Sequence, residues 1–181
     1  MSNTNQLTGK VAFVQGGSRG IGAAIVKRQA REGAAVAFTY VSSADKAKQV
    51  AQAIEAAGGR ALAIHADSAD ANAVQKAIQT AAKAFGRIDI LVNNAGVLAL
   101  ASVEDFKLED FDRTVAVNIR SVFVATQEAA RHMGDGGRVI TIGSTNAERM
   151  PFAGGAVYAM SKSAIVGLTK GLARDLGPRG I

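Results

Sequence analysis

The chain has 181 residues, enough for one domain with a good core, and 48% of them are hydrophobic. That composition excludes a disordered chain, and the absence of cysteine excludes disulfides, thiolate metal sites and cysteine nucleophiles. The formal charge is +6, but the 21 basic residues are scattered, and their tightest group, KRQAR at 27–31, reads as a solvated helix face and not as a nucleic-acid surface.

The start, MSNTNQLTGK, is polar and has no apolar leader core. No apolar run is long enough to span a bilayer, so a soluble, cytoplasmic protein without a membrane partner is expected. The first predicted strand is KVAFVQ from Lys10. It leads into GGSRGIG at 16–22, which opens a helix over 21–32. Glycine lets the backbone turn sharply and approach a phosphate closely, while a helix N-terminus directs free N–H groups and a positive dipole end at it. Gly16, Ser18, Arg19, Gly20, Ile21 and Gly22 are therefore candidate anion contacts.

Further strands read as AVAFTY from Ala35, RALAIHA from Arg60, IDILVNN from Ile88 and RVITIGS from Arg138. Amphipathic stretches at 44–57, 70–85, 108–133 and 156–176 alternate with them. Gly33, Gly58 and Gly86 sit where helices should stop, and Asp70 where one should start. Five strands, each followed by a helix, predict an α/β fold: a doubly wound parallel sheet in three layers, forming a single domain over 1–181. The last two helices are apolar over more than one stripe. Phe111, Val115, Val117, Ile119, Val122, Phe123 and Val124 mark the first, and Ile165, Val166, Leu168 and Leu172 the second. Excess apolar surface of this kind predicts a partner subunit.

Gly177 and Pro178 signal the end of the last helix, and the following RGI reads as the approach to another strand. RVITIGS, apolar on both faces, would then lie exposed at a sheet edge. The expectation is a chain cut from a larger protein.

Tyr158 and Lys162 in YAMSK carry the chemistry. Spaced i and i+4, they share one helix face, so an ammonium sits beside a phenol and favours its ionised form. Such a pair can exchange protons usefully near neutrality. His65 and His132 lack metal-ligand spacing, and no metal is expected. Asp110 and Asp112 suit a helix start, and Ser161 has no evident base.

Taken together, GGSRGIG at 16–22, Asp67 after the third strand, NNAG at 93–96, Asn118 in VAVNI, Ser144 in IGS, and Tyr158 with Lys162 resemble the short-chain dehydrogenase/reductase family over essentially the whole chain. The resemblance is to 3-oxoacyl-acyl-carrier-protein reductases and related carbonyl reductases. It implies a Rossmann-like fold whose last strands are missing here, and a dinucleotide cofactor. Full-length relatives of this kind form tetramers or dimers. By the same resemblance Asp67 holds the adenine amino group. Asn93, Ala95 and Gly96 stabilise the central strand and pass the cofactor ribose, with Ser68 and Asn94 among the cofactor contacts. One departure stands out. The family usually has threonine before the first glycine, whereas Gln15 stands here, which puts the hydrogen bonds of that position to the NNAG segment in doubt.

Cofactor choice rests on the end of the second strand. An acid there would accept from the adenosine ribose and repel a 2′-phosphate. The chain instead reads Thr39, Tyr40, Val41, Ser42, Ser43. Arg19 adds positive charge, and Ser42 and Ser43 can donate to phosphate, so NADP(H) is expected over NAD(H). Asp45 is read as starting the next helix, the alternative being that it folds back to the ribose.

The expected reaction interconverts a ketone and a secondary alcohol. Tyr158 is the proton donor or acceptor, Lys162 supports it and binds the ribose hydroxyls, and Ser144 orients the carbonyl oxygen. The resemblance assigns Asn118 a water linking Lys162 to a proton relay. Thr145 is one residue closer than Ser144 to Tyr158, and both spacings occur in the family; the IGS context favours Ser144. The alternative for the whole chain is a nucleotide-binding short form, or an inactive fragment, without turnover.

Overall fold

The computed structural model describes residues 5–181. Five strands, β1 (Val11–Val14), β2 (Ala35–Tyr40), β3 (Ala61–His65), β4 (Ile90–Asn93) and β5 (Arg138–Thr141), form one parallel sheet in the order β3-β2-β1-β4-β5. The order reverses between β1 and β4, where the crevice of a doubly wound sheet opens at the carboxyl ends of its strands. Register pairs Phe13 with Ala37 on one side and with Leu91 on the other.

Residue alternation along the strands builds two cores. Val11 and Phe13 of β1, with Leu91 of β4, pack on α3 (Ala71–Phe85) and α5 (Ser121–Ala130). Ala12 and Val14, with Phe38 of β2 and Val92 of β4, pack on α1 (Gly20–Arg31) and α2 (Ala44–Ala56). Helix α4 (Leu108–Val115) leads into α5, and α6 (Ala156–Leu176) packs across α4 and the turn that follows it. The expected three layers are all present.

Local signals hold where a cap fixes them. Asp70 accepts from the backbone N–H groups of Asn72 and Ala73 (2.8 and 3.2 Å), and Gly33, Gly58 and Gly86 take positive φ at helix ends. Asp45 lies in the first turn of α2, as read, and Asp110 in that of α4. The expected helix over 108–133 needs correction. It is interrupted by a π-helical turn at Ala116–Arg120, and its last helical residue is Ala130. The extra residue of the wide turn lets Asn118 point inward to the backbone of Val97, which a regular α-helix would not require of it. Strand ends are also shorter than read, because the segments after β1, β4 and β5 leave the sheet to build loops at its carboxyl end.

Strand β5 is an edge among the described residues, with Ile140 46% exposed. No helix of the described residues is long and apolar enough to cross a membrane, and no group of three potential metal ligands occurs among them.

Buried Glu128 clamps α5 to α3. It accepts from Gln79 Nε2 (3.1 Å), pairs with Arg131 and meets His132 Nε2 at 3.2 Å. Burial pushes the carboxyl up, but the hydrogen bonds from Gln79, His132 and Arg131 outweigh it and hold the group below its ordinary value. A carboxyl lowered by folding stabilises the fold above its unfolded value, and that contribution is lost as pH falls through the folded value. Glu128→Gln should therefore cost about 1–3 kcal/mol at neutral pH and flatten the acid limb of stability below the ordinary carboxylate range. Urea melts of both proteins at neutral and acid pH check this; a constant difference between them at every pH would refute the assignment.

Candidate cofactor and active site

The loop after β1 is shaped by two glycines. Gly16 has φ +71°, a left-handed conformation that side chains resist, and its N–H donates to Thr39 Oγ1 (2.9 Å). Gly22 is a matter of space: a methyl there would lie 2.0 Å from the Gly16 carbonyl oxygen and 2.6 Å from Asn94 Nδ2. The loop ends in an N-terminus of α1 that receives no side-chain cap and has no acid in its first turn. Those first N–H groups and the dipole end are thus left for an anion.

A cleft of about 540 Å³ opens over this loop. Gly16, Ser18, Arg19, Gly20, Ile21 and Gly22 line it from the glycine loop. Tyr40, Ser42 and Ser43 line it from the end of β2. Asp67 and Ser68 follow β3, and Asn94, Ala95 and Gly96 follow β4. The structure therefore gathers into one cleft residues that the sequence spreads over eighty positions. Asp45 is not among the lining residues, and the end of β2 carries no acid.

Asn118, Ser144, Tyr158 and Lys162 are not among the lining residues, but Asn118 and Lys162 adjoin the cleft at Gly96. A methyl on Gly96 would sit 3.5 Å from Asn118 Oδ1 and 3.9 Å from Lys162 Nζ. Lys162 is only 6% exposed; its Nζ donates to Ile142 O (2.9 Å) and lies 5.9 Å from the Tyr158 ring centroid. Burial lowers the pKa of this ammonium, because desolvation penalises its charged form. Ser144 caps a short turn at Thr145–Ala147 by accepting from Asn146 N (3.2 Å). Its hydroxyl proton stays available, while Thr145 is exposed.

Asn118 is fully engaged. It accepts from Val97 N (2.9 Å) and donates to Val97 O and to Ser161 Oγ (both 3.0 Å). Ser161 in turn donates to Tyr158 O (2.7 Å), so this buried serine braces the helix that carries the tyrosine.

Several groups of the site carried no sequence signal. Arg113, on α4, lines the cleft and sits 3.6 Å from Asp67, which also caps Ala69 N (2.9 Å). Thr39 binds the first glycine, as a buried polar residue at a strand end can. The doubt over Gln15 is corrected: its fully buried amide donates to Asn93 Oδ1 (3.3 Å) and Ser121 O (3.4 Å) and accepts from the Ser68 hydroxyl (3.4 Å). A longer side chain reaches the NNAG segment by its own bonds, and Asn94 Nδ2 closes the loop by donating to the carbonyls of Gln15 and Gly16 (both 3.0 Å).

A sequence model described as short chain dehydrogenase matches residues 10–181. The cyclic-di-GMP-binding biofilm dispersal mediator protein of Escherichia coli is 48% identical, over 96% of this chain and 70% of that protein. Among solved structures, a short-chain dehydrogenase/reductase from Serratia marcescens is 72% identical with a TM-score of 0.94, over 96% of this chain and 71% of that one. A short chain dehydrogenase from Burkholderia cenocepacia in complex with NADP is 58% identical with a TM-score of 0.97, over 98% of this chain and 72% of that one.

Proposed function

The chain belongs to the short-chain dehydrogenase family of oxidoreductases, and on that footing we propose that residues 1–181 form a single dinucleotide-binding domain that uses NADP(H) to interconvert a ketone and a secondary alcohol. The observation that carries the reading is that a cleft starting at an uncapped α1 N-terminus is lined at Gly96, where a methyl would lie 3.9 Å from Lys162 Nζ, itself 5.9 Å from the Tyr158 ring centroid.

The residues present fit the cofactor. The α1 N–H groups and the floor that only Gly22 permits would hold the pyrophosphate, Arg19, Ser42 and Ser43 the 2′-phosphate, and Asp67 and Ser68 the adenine end. When bound, NADPH supplies the hydride. Tyr158 Oη gives its proton to the substrate oxygen in reduction and takes it back in oxidation. Lys162 supplies positive charge beside the resulting phenolate and, freed from Ile142 O, reaches the ribose hydroxyls. Ser144 donates its hydroxyl proton to the carbonyl oxygen, so that negative charge developing there meets a fixed donor. Asn118 holds the loop at Val97 against α6 and keeps the Tyr158 helix in register. Leu98 and Leu100, both exposed, stand on a strip joined by Ala101 N to Gly154 O (3.2 Å) beside exposed Phe152. This apolar rim suits a small carbonyl compound without a charged tail. Exposed Phe123 and Val166 support the expected pairing of copies.

NADP preference has the support of the acid-free end of β2 and of the Burkholderia relative in complex with NADP. A second reading, nucleotide binding without turnover, draws on the E. coli relative, whose name records cyclic di-GMP. Calorimetric titrations with NADPH and NADH, followed by a ketone screen monitored by NADPH absorbance, separate these. NADPH should bind at least about tenfold tighter than NADH and be consumed with a ketone. Tighter NADH binding would reverse the cofactor assignment. NADPH binding that cyclic di-GMP displaces, without consumption on any ketone, would establish the second reading.

A further inference from the structure

A second cleft lies at the opposite end of the sheet, at the amino ends of β1, β2 and β3, with a volume of about 990 Å³. Its floor is the chain around Gly33, Gly58 and Gly86, where α1, α2 and α3 end. Five cations line it, Lys10, Lys27, Arg31, Arg60 and Arg87, and no acidic side chain does.

Two of the five are accounted for by Asp89, whose carboxylate lies 3.7 Å from Lys10 Nζ and 2.8 Å from Arg87 Nε. Lys27, Arg31 and Arg60 are exposed and have no ion-pair partner among the described residues. Helix polarity explains only one of these. Arg31 lies in the last turn of α1, where a cation meets the negative dipole end. Lys27 is a turn earlier, and Arg60 belongs to no helix. Arg60 is instead held with its guanidinium 4.9 Å from the Phe85 ring centroid, an arrangement that fixes the fork and leaves its edge donors open. Three like charges on one concavity repel one another, and an anion that bridges them removes that cost. The cleft has room for more than a single phosphate, and exposed Ala53 and Ala57 give it an apolar flank.

We propose that this cleft is a second binding site, separate from the dinucleotide cleft, for an oligophosphate anion, carried either free or by a nucleotide. Lys27 and Arg31 grip the phosphate chain from α1, and Arg60 on its aromatic support grips it from the start of β3. The KRQAR run, which reads from sequence as a solvated face, contributes two of the three ligands.

The test is calorimetry of the full chain with sodium tripolyphosphate and, separately, with ATP. Both titrations are run with excess NADPH at physiological ionic strength, where weak surface attraction is screened. One equivalent of tripolyphosphate should bind, and Lys27→Glu with Arg31→Glu, or Arg60→Gln alone, should weaken it by about tenfold or more while NADPH affinity stays within about twofold. Equal affinity for ATP points to the phosphate chain alone, and markedly tighter ATP binding points to a nucleotide. The site is overturned if neither anion binds beside NADPH, or if both variants bind as the wild type does.

Discussion

Tyr158→Phe is expected to lower ketone reduction by about 10²–10⁴-fold while NADPH affinity stays within about twofold. The substitution removes one oxygen and leaves the ring that lies 5.9 Å from Lys162 Nζ. Packing of α6 does not depend on that oxygen: the brace between α6 and the π turn runs through Ser161 to the Tyr158 backbone carbonyl and through Ser161 to Asn118. Loss of turnover with intact cofactor binding would therefore locate the proton at this oxygen. Steady-state rates and a parallel NADPH titration provide the check. Retained activity would move the acid elsewhere, and joint loss of binding and turnover would mean that the tyrosine has a structural role.

Gly22→Ala is expected to damage the glycine-loop end of the cleft. Its methyl would lie 2.0 Å from Gly16 O, and backbone cannot yield as the tip of a flexible side chain can. Either the glycine loop or the first turn of α1 has to move. Asn94, which ties the loop to the segment after β4, is 2.6 Å from the same methyl and must move as well. Strain of this kind costs about 1–3 kcal/mol of stability. Displacing one or two charge-assisted phosphate contacts removes about 1.5–3 kcal/mol each, so NADPH affinity should fall by about tenfold or more. Chemical denaturation and cofactor titration of the variant measure the two effects separately. Gly20→Ala is a useful contrast, since the space there is open and only its φ of +54° resists a side chain. NADPH binding by Gly22→Ala as tight as that of the wild type would show that the phosphates do not approach this floor.

Much of the fold was legible because its signals are local. Alternating apolar strands, glycines that end helices and Asp70 at a helix start each act within a few residues, and each appears where the sequence puts it. The lining of the candidate cofactor cleft was legible for a related reason: in a doubly wound sheet, whatever follows a strand at its carboxyl end faces the crevice. Contacts that depend on the fold itself were not legible. Nothing in the sequence around Arg113 shows that it will face Asp67, forty-six positions earlier. The π turn is hidden as well: the β-branched residues and asparagine of VAVNIR are weak helix formers, but nothing in them marks where an extra residue falls. Lys27, Arg31 and Arg60 read separately as solvated charge, because only tertiary packing brings one helix and one strand start to the same concavity.

The buried amide of Gln15 has a consequence for how this chain tolerates change. It bonds at once to a strand residue, to the turn after β3 and to the helix start beyond the π turn. Its acceptor is served by the Ser68 hydroxyl, which a shorter side chain at 15 would not reach in the same way, while the single proton of Ser121 Oγ goes to Val117 O at 2.6 Å. Substitutions at positions 15, 68 and 93 are thus expected to couple energetically. A threonine at 15 has no amide to offer, so that substitution would take a partner from Asn93 and from Ser68 at the same time.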